Sequence, residues 1–274
     1  MSKFVQLRDA VLLMITIAGS ALLLPLARCT STNDTLPPSV GDDSTAANLQ
    51  IAYDDDPGSP VIATIADPNG KLALTIHGTK AEDGTLEQVT NMFGTTADGV
   101  DFAATFDEDG TSTLTSPGLQ MDVIQVSDEE LQVTGTVTSP FKRTVTQASE
   151  SFDASVLVDV DYTTILEEEA SCSYVPCPPH VSRDLRLLGT LAFVQLVYAE
   201  VFYAKCIKTE TFSPESCLAL IGLAGGVSEV IQKIISSNPD LPTRVRALGT
   251  STSPQIDNGN SNSNTNANSN DNTA

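Results

Sequence analysis

Alternating apolar and polar positions between residues 49 and 165 predict an antiparallel β-domain. Residues 71–77 and 100–106 each place apolar side chains at every second position. The longest alternation, over residues 152–162, has its apolar side chains at Phe152, Ala154, Val156, Val158, Val160 and Tyr162. Because successive side chains of a strand point to opposite faces, a period of two is typical of strands with one buried and one solvated face.

Glycine-containing turns separate the predicted strands. Gly70, Gly84, Gly99 and Gly110 each directly follow an Asp or Asn, and they recur every 11–15 residues. A further turn is predicted at residues 116–118, where Gly118 follows a proline. Glycine adopts the positive φ that tight hairpins require, and Asp or Asn hydrogen-bonds locally in the turn. The spacing predicts a meander of about eight or nine strands, built either as a sandwich or as an up-and-down barrel.

Two helices are predicted after this domain. Prolines and acidic residues between 166 and 184 predict an irregular junction. The first helix is expected over residues 185–207, with Ser182 as its cap. The second is expected to begin after Ser213, which precedes a proline, and to end at Asn238.

The helical hairpin region, residues 185–249, completes an α+β fold class. As a membrane hairpin, its first helix would place Gln195 and Glu200 in hydrocarbon, which is costly. Packing against one face of the sheet buries the same apolar surface without that cost. A hairpin that packs on the sheet is therefore favoured over one that inserts into a membrane or oligomerises.

The first 29 residues have the parts of a secretory signal. Lys3 and Arg8 precede an uncharged run from Ala10 to Leu26, and a polar stretch begins directly after Cys29. A basic flank, an apolar centre and a polar exit direct a chain out of the cytosol. The segment therefore predicts an extracytoplasmic protein.

The end of that segment resembles the lipobox of bacterial lipoproteins. Leu26 and Ala27 fit its first two positions, and Cys29 stands where the family carries its lipid, whereas Arg28 replaces the usual small residue. The resemblance implies lipidation at Cys29 and anchoring in a lipid bilayer of the cell envelope. Two alternatives stay open: cleavage after Cys29 with free secretion, or an uncleaved anchor, since the apolar run is near the lower limit for crossing a bilayer.

Four cysteines remain if Cys29 is lipidated or removed. An even number in an exported chain predicts two disulfides. Cys206 and Cys217 lie at similar distances from the turn of the predicted helical hairpin, so we expect them to pair. Cys172 and Cys177 would then close the short proline-containing loop between them.

Two further segments are polar and of low complexity. Residues 30–48 are rich in Ser, Thr, Asn, Asp and Pro, which predicts a flexible tether. Residues 250–274 carry Asn at nearly every second position toward the end, which predicts a disordered tail.

Charge and motif content exclude several function classes. With 35 acidic and 14 basic residues the chain has a net charge of −21, so nucleic acid is not an expected partner. His77 lies on the polar face of a predicted strand, and the spacing of His180 from Cys172 and Cys177 does not suit zinc. No nucleophile elbow, phosphate loop or dinucleotide motif is present, so no catalytic residue, metal ligand or cofactor is predicted.

These observations predict an exported, lipid-anchored bacterial envelope protein that acts as a non-enzymatic binding or structural module. Its partner would be the bilayer together with an unidentified protein or apolar small molecule. The alternative is a carrier that holds an apolar ligand inside a β-barrel or in a helix–sheet crevice. A hydrolase that uses carboxylates alone is less favoured, because its acids cannot be chosen among 35 candidates.

Overall fold

The computed structural model describes residues 48–69, 72–96, 99–138 and 149–250. Nine antiparallel strands form one sheet in sequence order. They are β1 Gln50–Tyr53, β2 Val61–Ala66, β3 Ala73–Lys80, β4 Leu86–Thr95, β5 Asp101–Phe106, β6 Thr111–Ser116, β7 Leu119–Ser127, β8 Glu130–Thr138 and β9 Ser149–Leu157. The predicted signal segment, tether and tail, including Cys29, lie outside the described residues.

Four α-helices follow the sheet in the described part of the chain. They are α1 Val160–Tyr174, α2 Pro179–Phe202, α3 Pro214–Ser237 and α4 Thr243–Thr250, and α2 continues into a π-helical turn at Tyr203–Lys208. The predicted α+β class, a β-meander followed by a helix pair, is confirmed.

The period-two pattern explains which face of the sheet is buried. Leu74 and Ile76 of β3, and Met121 and Val123 of β7, are all at most 2% exposed. Their neighbours along each strand point to the opposite face, which faces solvent and is mostly polar, with Ile124 and Phe93 as exposed apolar side chains. Gly84, Gly99, Gly110 and Gly118 each end a hairpin turn with a φ between 78° and 85°. The predicted role of glycine in these turns is therefore confirmed at all four, and the predicted turn at Gly70 lies outside the described residues.

Helix α2 fills the inner face of the sheet. It packs against β4, β9, α1 and α3. Its fully buried side chains are Leu185, Leu187, Leu188, Leu191, Val194, Val197, Tyr198 and Val201. Helices, and not a second sheet, therefore cover the apolar side of the meander.

Helix α1 corrects two predictions. The alternation up to Tyr162 predicted a strand, and residues 166–184 were expected to be irregular. Instead β9 ends at Leu157, and the Asp159 side chain accepts a hydrogen bond from the Tyr162 backbone N–H at 2.8 Å. Because this contact satisfies a free N–H group at a helix start, the chain turns into α1 there.

Helix α2 also begins earlier than predicted. It starts at Pro179, six residues before the expected Leu185, and Ser182 lies inside its first turn. A proline is favourable at the first helical position because its missing N–H would be unpaired there anyway. The prolines therefore mark a helix start and not only a break.

The predicted limits of the second helix agree with α3. The Ser213 side chain accepts a hydrogen bond from the Ser216 N–H at 3.2 Å, and Asn238 is the C-cap. The short helix α4 was not predicted, and it packs against α3 and α1. Residues 179–208 and 214–237 are long and apolar enough to cross a membrane by length and composition alone, as core helices of soluble proteins also are.

Candidate functional site

A hollow of about 500 Å³ lies at strands β7, β8 and β9. The described residues around it are mostly polar. They are Gln120, Asp122, Thr134, Gly135, Thr136, Ser151, Phe152 and Asp153. We call this feature the β7–β9 hollow.

Strand register arranges six of these side chains as two rows of three. In one row Asp122 of β7 lies opposite Thr134 of β8, which lies opposite Asp153 of β9. The second row contains Gln120, Thr136 and Ser151 in the same strand order. Because residues two apart on a strand share a face, both rows stand on the polar outer face.

The inward neighbours hold this arrangement in place. Leu119, Met121 and Val123 alternate with Gln120 and Asp122, and all three are at most 3% exposed. A register slip of one residue would bury the polar side chains and expose these apolar ones, so the rows are strongly specified.

A glycine and an aromatic ring support the hollow from the inner side. A Cβ atom on Gly135 would come within 2.6 Å of the Phe152 ring, so only glycine leaves space for that ring. Phe152 packs edge-to-face on Phe212 at 5.4 Å between ring centroids, and Lys205 lies 5.5 Å from the Phe152 centroid. The strands that form the hollow are therefore supported on their inner side by packed aromatic side chains.

The hollow is rich in hydrogen-bond acceptors and negative charge. Asp122 is partly buried, and its Oδ1 accepts a hydrogen bond from the Thr113 hydroxyl at 2.9 Å. Asp153 is exposed. Two strand spacings separate these carboxylates, about 10 Å between Cα atoms. No Lys, Arg or His is among the described lining residues, so the site favours cations over anions.

The predicted cysteine pairs are both brought together. Cys206 and Cys217 have Cα atoms 5.8 Å apart, and they join the π-helical turn to the first turn of α3. Cys172 and Cys177 have Cα atoms 5.3 Å apart and close the loop between α1 and α2. Both pairs lie at disulfide distance, which is typical of an oxidising compartment.

The loop closed by Cys172 and Cys177 exposes apolar side chains. Tyr174 is 89% exposed and Val175 is 63% exposed, whereas both cysteines pack against the core. Single exposed apolar residues are common on protein surfaces, so exposure alone assigns this loop no binding role.

The two histidines lie apart from the hollow. His77 on β3 contacts the Phe93 ring edge-to-face at 5.1 Å, and His180 on α2 lies 3.1 Å from Asp240 Oδ2. Within the described residues no group of three or more His, Cys, Asp or Glu side chains is arranged to hold a metal ion.

A buried polar cluster ties β1, α2 and the end of α3 together. Asp184 is 2% exposed, and it accepts hydrogen bonds from Asn238 Nδ2 at 2.8 Å and from Arg183 Nε at 3.1 Å. The Arg183 guanidinium lies 3.4 Å from the centroid of the Tyr53 ring. Burial, followed by the charge of Asp184, raises the pKa of Tyr53. Because every partner in this cluster is provided by the chain, its role is structural.

Two carboxyl groups on the helices have a perturbed pKa. Burial, assisted by the nearby negative charge of Asp159, raises the pKa of Glu200 to about 7. Burial also raises the pKa of Glu169, although Arg186 opposes this with its Nε 3.7 Å from Glu169 Oε1. Such shifts occur at catalytic sites but also in structural clusters, and here both groups lie where α1 packs on α2.

The sequence did not identify the β7–β9 hollow. Asp122 and Asp153 could be placed on the polar faces of their strands, but only the register shows that both flank Thr134. The repeated Thr-x-Thr patterns at 113–115 and 134–136 are the one sequence signal for an ordered hydroxyl surface.

Comparison with known proteins adds no family to this description. No protein-family profile, curated protein or solved structure matches the chain.

Proposed function

We propose that this chain is an exported, lipid-anchored bacterial envelope protein that acts as a non-enzymatic binding module. Its ligand surface is the β7–β9 hollow on the outer face of the sheet. The observation that carries the proposal is the contrast between the two faces: α2 fills the inner face, and the outer face carries an open polar hollow.

The cysteine pairs support export. All four cysteines of the described residues lie in pairs at disulfide distance, which is unusual in a cytosolic protein. Anchoring rests on the first 29 residues alone, where Cys29 has the position of a lipobox cysteine.

Binding is favoured over hydrolysis by the surroundings of the two aspartates. In a carboxylate hydrolase one of the two acids must hold a proton, and enzymes achieve this by shielding that acid from water. Asp153 is exposed and Asp122 already accepts a hydrogen bond from Thr113. Neither has the environment of a general acid.

Export and anchoring are tested by the intact mass of the mature protein purified from a bacterial envelope. We expect a chain that begins at a diacylglycerol-modified Cys29 and contains no free thiol. The Cys29→Ser variant is the control and should lose the lipid mass. A chain that begins at Thr30 would show free secretion, and a chain that keeps residues 1–28 would contradict the lipobox.

The ligand surface is tested by native mass spectrometry after gentle extraction. Thr134→Arg places a cation at the centre of the hollow and should abolish a co-purifying small-molecule adduct. Thr75→Arg, on the outer face of β3, is the matched control and should retain it. A lipid adduct that survives Thr134→Arg would instead favour the apolar carrier.

A further inference from the structure

We infer that the β7–β9 hollow binds an aliphatic diamine or polyamine, with one ammonium group at Asp122 and another at Asp153. This inference rests on the proposed binding function and specifies its ligand class. It follows from the charge, spacing and size of the hollow.

The charge of the lining selects a cation. Asp122 and Asp153 are both carboxylates, and the hydroxyls of Thr134, Thr136 and Ser151 can accept hydrogen bonds from a donor ligand. A chain with a net charge of −21 adds a field that attracts cations and repels phosphates and carboxylates.

The spacing excludes a single metal ion and favours a ligand with two charges. Carboxylate oxygens must approach one cation to about 2.0–2.6 Å. Asp122 and Asp153 stand on strands separated by β8, about 10 Å between Cα atoms, so they cannot both coordinate one ion without leaving their rows. A linear chain with an ammonium at each end satisfies both carboxylates at once.

Between the carboxylates the surface suits a methylene chain that carries further donors. Thr134 lies midway and presents both a methyl group and a hydroxyl. The hollow, about 500 Å³, has the size of a small-ligand site and not of a protein interface. A free polyamine is therefore favoured over a basic protein segment.

The binding test compares a diamine with a monoamine on the same protein. Isothermal titration with cadaverine and with butylamine should show cadaverine binding at least about tenfold more tightly, because it makes a second charge-assisted hydrogen bond. Spermidine should bind at least as tightly as cadaverine.

Two variants localise this preference. Asp122→Asn and Asp153→Asn should each reduce the ratio of the cadaverine and butylamine association constants to about one, because each variant leaves only one carboxylate in the hollow. The control Asp83→Asn/Asp109→Asn removes two charges at distant hairpin turns, where asparagine can still accept the turn hydrogen bonds. This control variant should keep the ratio of association constants that the unaltered protein shows.

Three outcomes would overturn the inference. The first is equal binding of cadaverine and butylamine to the unaltered protein. The second is an equal loss of the cadaverine preference in the hollow variants and in the turn control. That result would show that the amines are held only by the general negative charge of the protein. The third is binding of a lysine-rich peptide but of no diamine, which would assign the surface to a protein partner. Since none of these changes the mature N-terminus or the Thr134→Arg result, the proposed function can survive the loss of this ligand class.

Discussion

At the scale of single residues, Glu200 should make stability depend on pH. Burial and the charge of Asp159 raise its pKa from the ordinary 4.5 to about 7. Between these two pH values the folded chain therefore keeps a proton on Glu200 that the unfolded chain has released. The contribution of the Glu200 carboxyl to the free energy of unfolding is therefore fully present below about pH 4.5 and is lost as the pH rises through about 7. We expect Glu200→Gln to be more stable than the unaltered protein by about 1–3 kcal/mol at pH 8, and similar at pH 4.5.

Urea unfolding across that pH range measures the difference. Glu82→Gln, on the exposed β3–β4 turn, is the control, and its difference from the unaltered protein should not vary in the same way. A Glu200→Gln difference that is constant between pH 4.5 and 8 would show that this carboxyl is not perturbed.

Asp184 should be important for stability although it is charged. Asp184→Ala removes the acceptor of Asn238 and Arg183, and Asn238 is only 6% exposed, so its amide would lose its partner away from water. We expect the free energy of unfolding to fall by about 2–4 kcal/mol. Asp240→Ala breaks the exposed contact with His180 and should cost less than about 1 kcal/mol. Similar losses in the two variants would contradict the assigned role of the buried cluster.

At the scale of elements, the strands were predictable and the helix starts were not. Alternation identified β3, β5 and β9 because a sheet with one wet face imposes a period of two. The same alternation continues by chance to Val160 and Tyr162, across the start of α1. The local signal for a helix was Asp159, whose carboxylate can cap a helix start. The alternating pattern predicts a strand over the same residues, and the packing of α1 on α2 is what favours the helix.

The disulfide between Cys206 and Cys217 should stabilise the junction of α2 and α3. It links the π-helical turn at Tyr203–Lys208 to the start of α3, across a separation of 11 residues. We expect Cys206→Ser/Cys217→Ser to lower the free energy of unfolding by about 2–3 kcal/mol in urea titration, because the unfolded chain gains the entropy of an open loop. Cys29→Ser, outside the described residues, is the control and should leave stability unchanged. Peptide mapping that joined Cys172 to Cys206 would contradict the pairing.

At the scale of the whole molecule, the sequence indicates which side of each strand is exposed to solvent. It does not indicate which exposed residues of different strands lie next to one another. Asp122 and Asp153 are separated by 31 positions, and the residues between them carry several other exposed acids. They flank Thr134 only because β7, β8 and β9 pair in one particular register. The candidate site is therefore a property of the sheet, whereas the Cys206–Cys217 pair follows from the local hairpin around residue 211.

The charge of the whole molecule should make its stability rise with salt. With 35 acidic and 14 basic residues, carboxylates repel one another more in the compact state than in the expanded one. Raising sodium chloride from about 0.1 M to 1 M shortens the screening length from about 10 Å to 3 Å, so the urea midpoint should increase. Chloride is preferred to sulfate because sulfate also strengthens apolar burial. A variant with several exposed carboxylates changed to amides, such as Asp83→Asn/Asp109→Asn/Glu82→Gln, should respond less. If the midpoint instead fell with salt, exposed ion pairs such as Arg244–Glu167 would outweigh the repulsion.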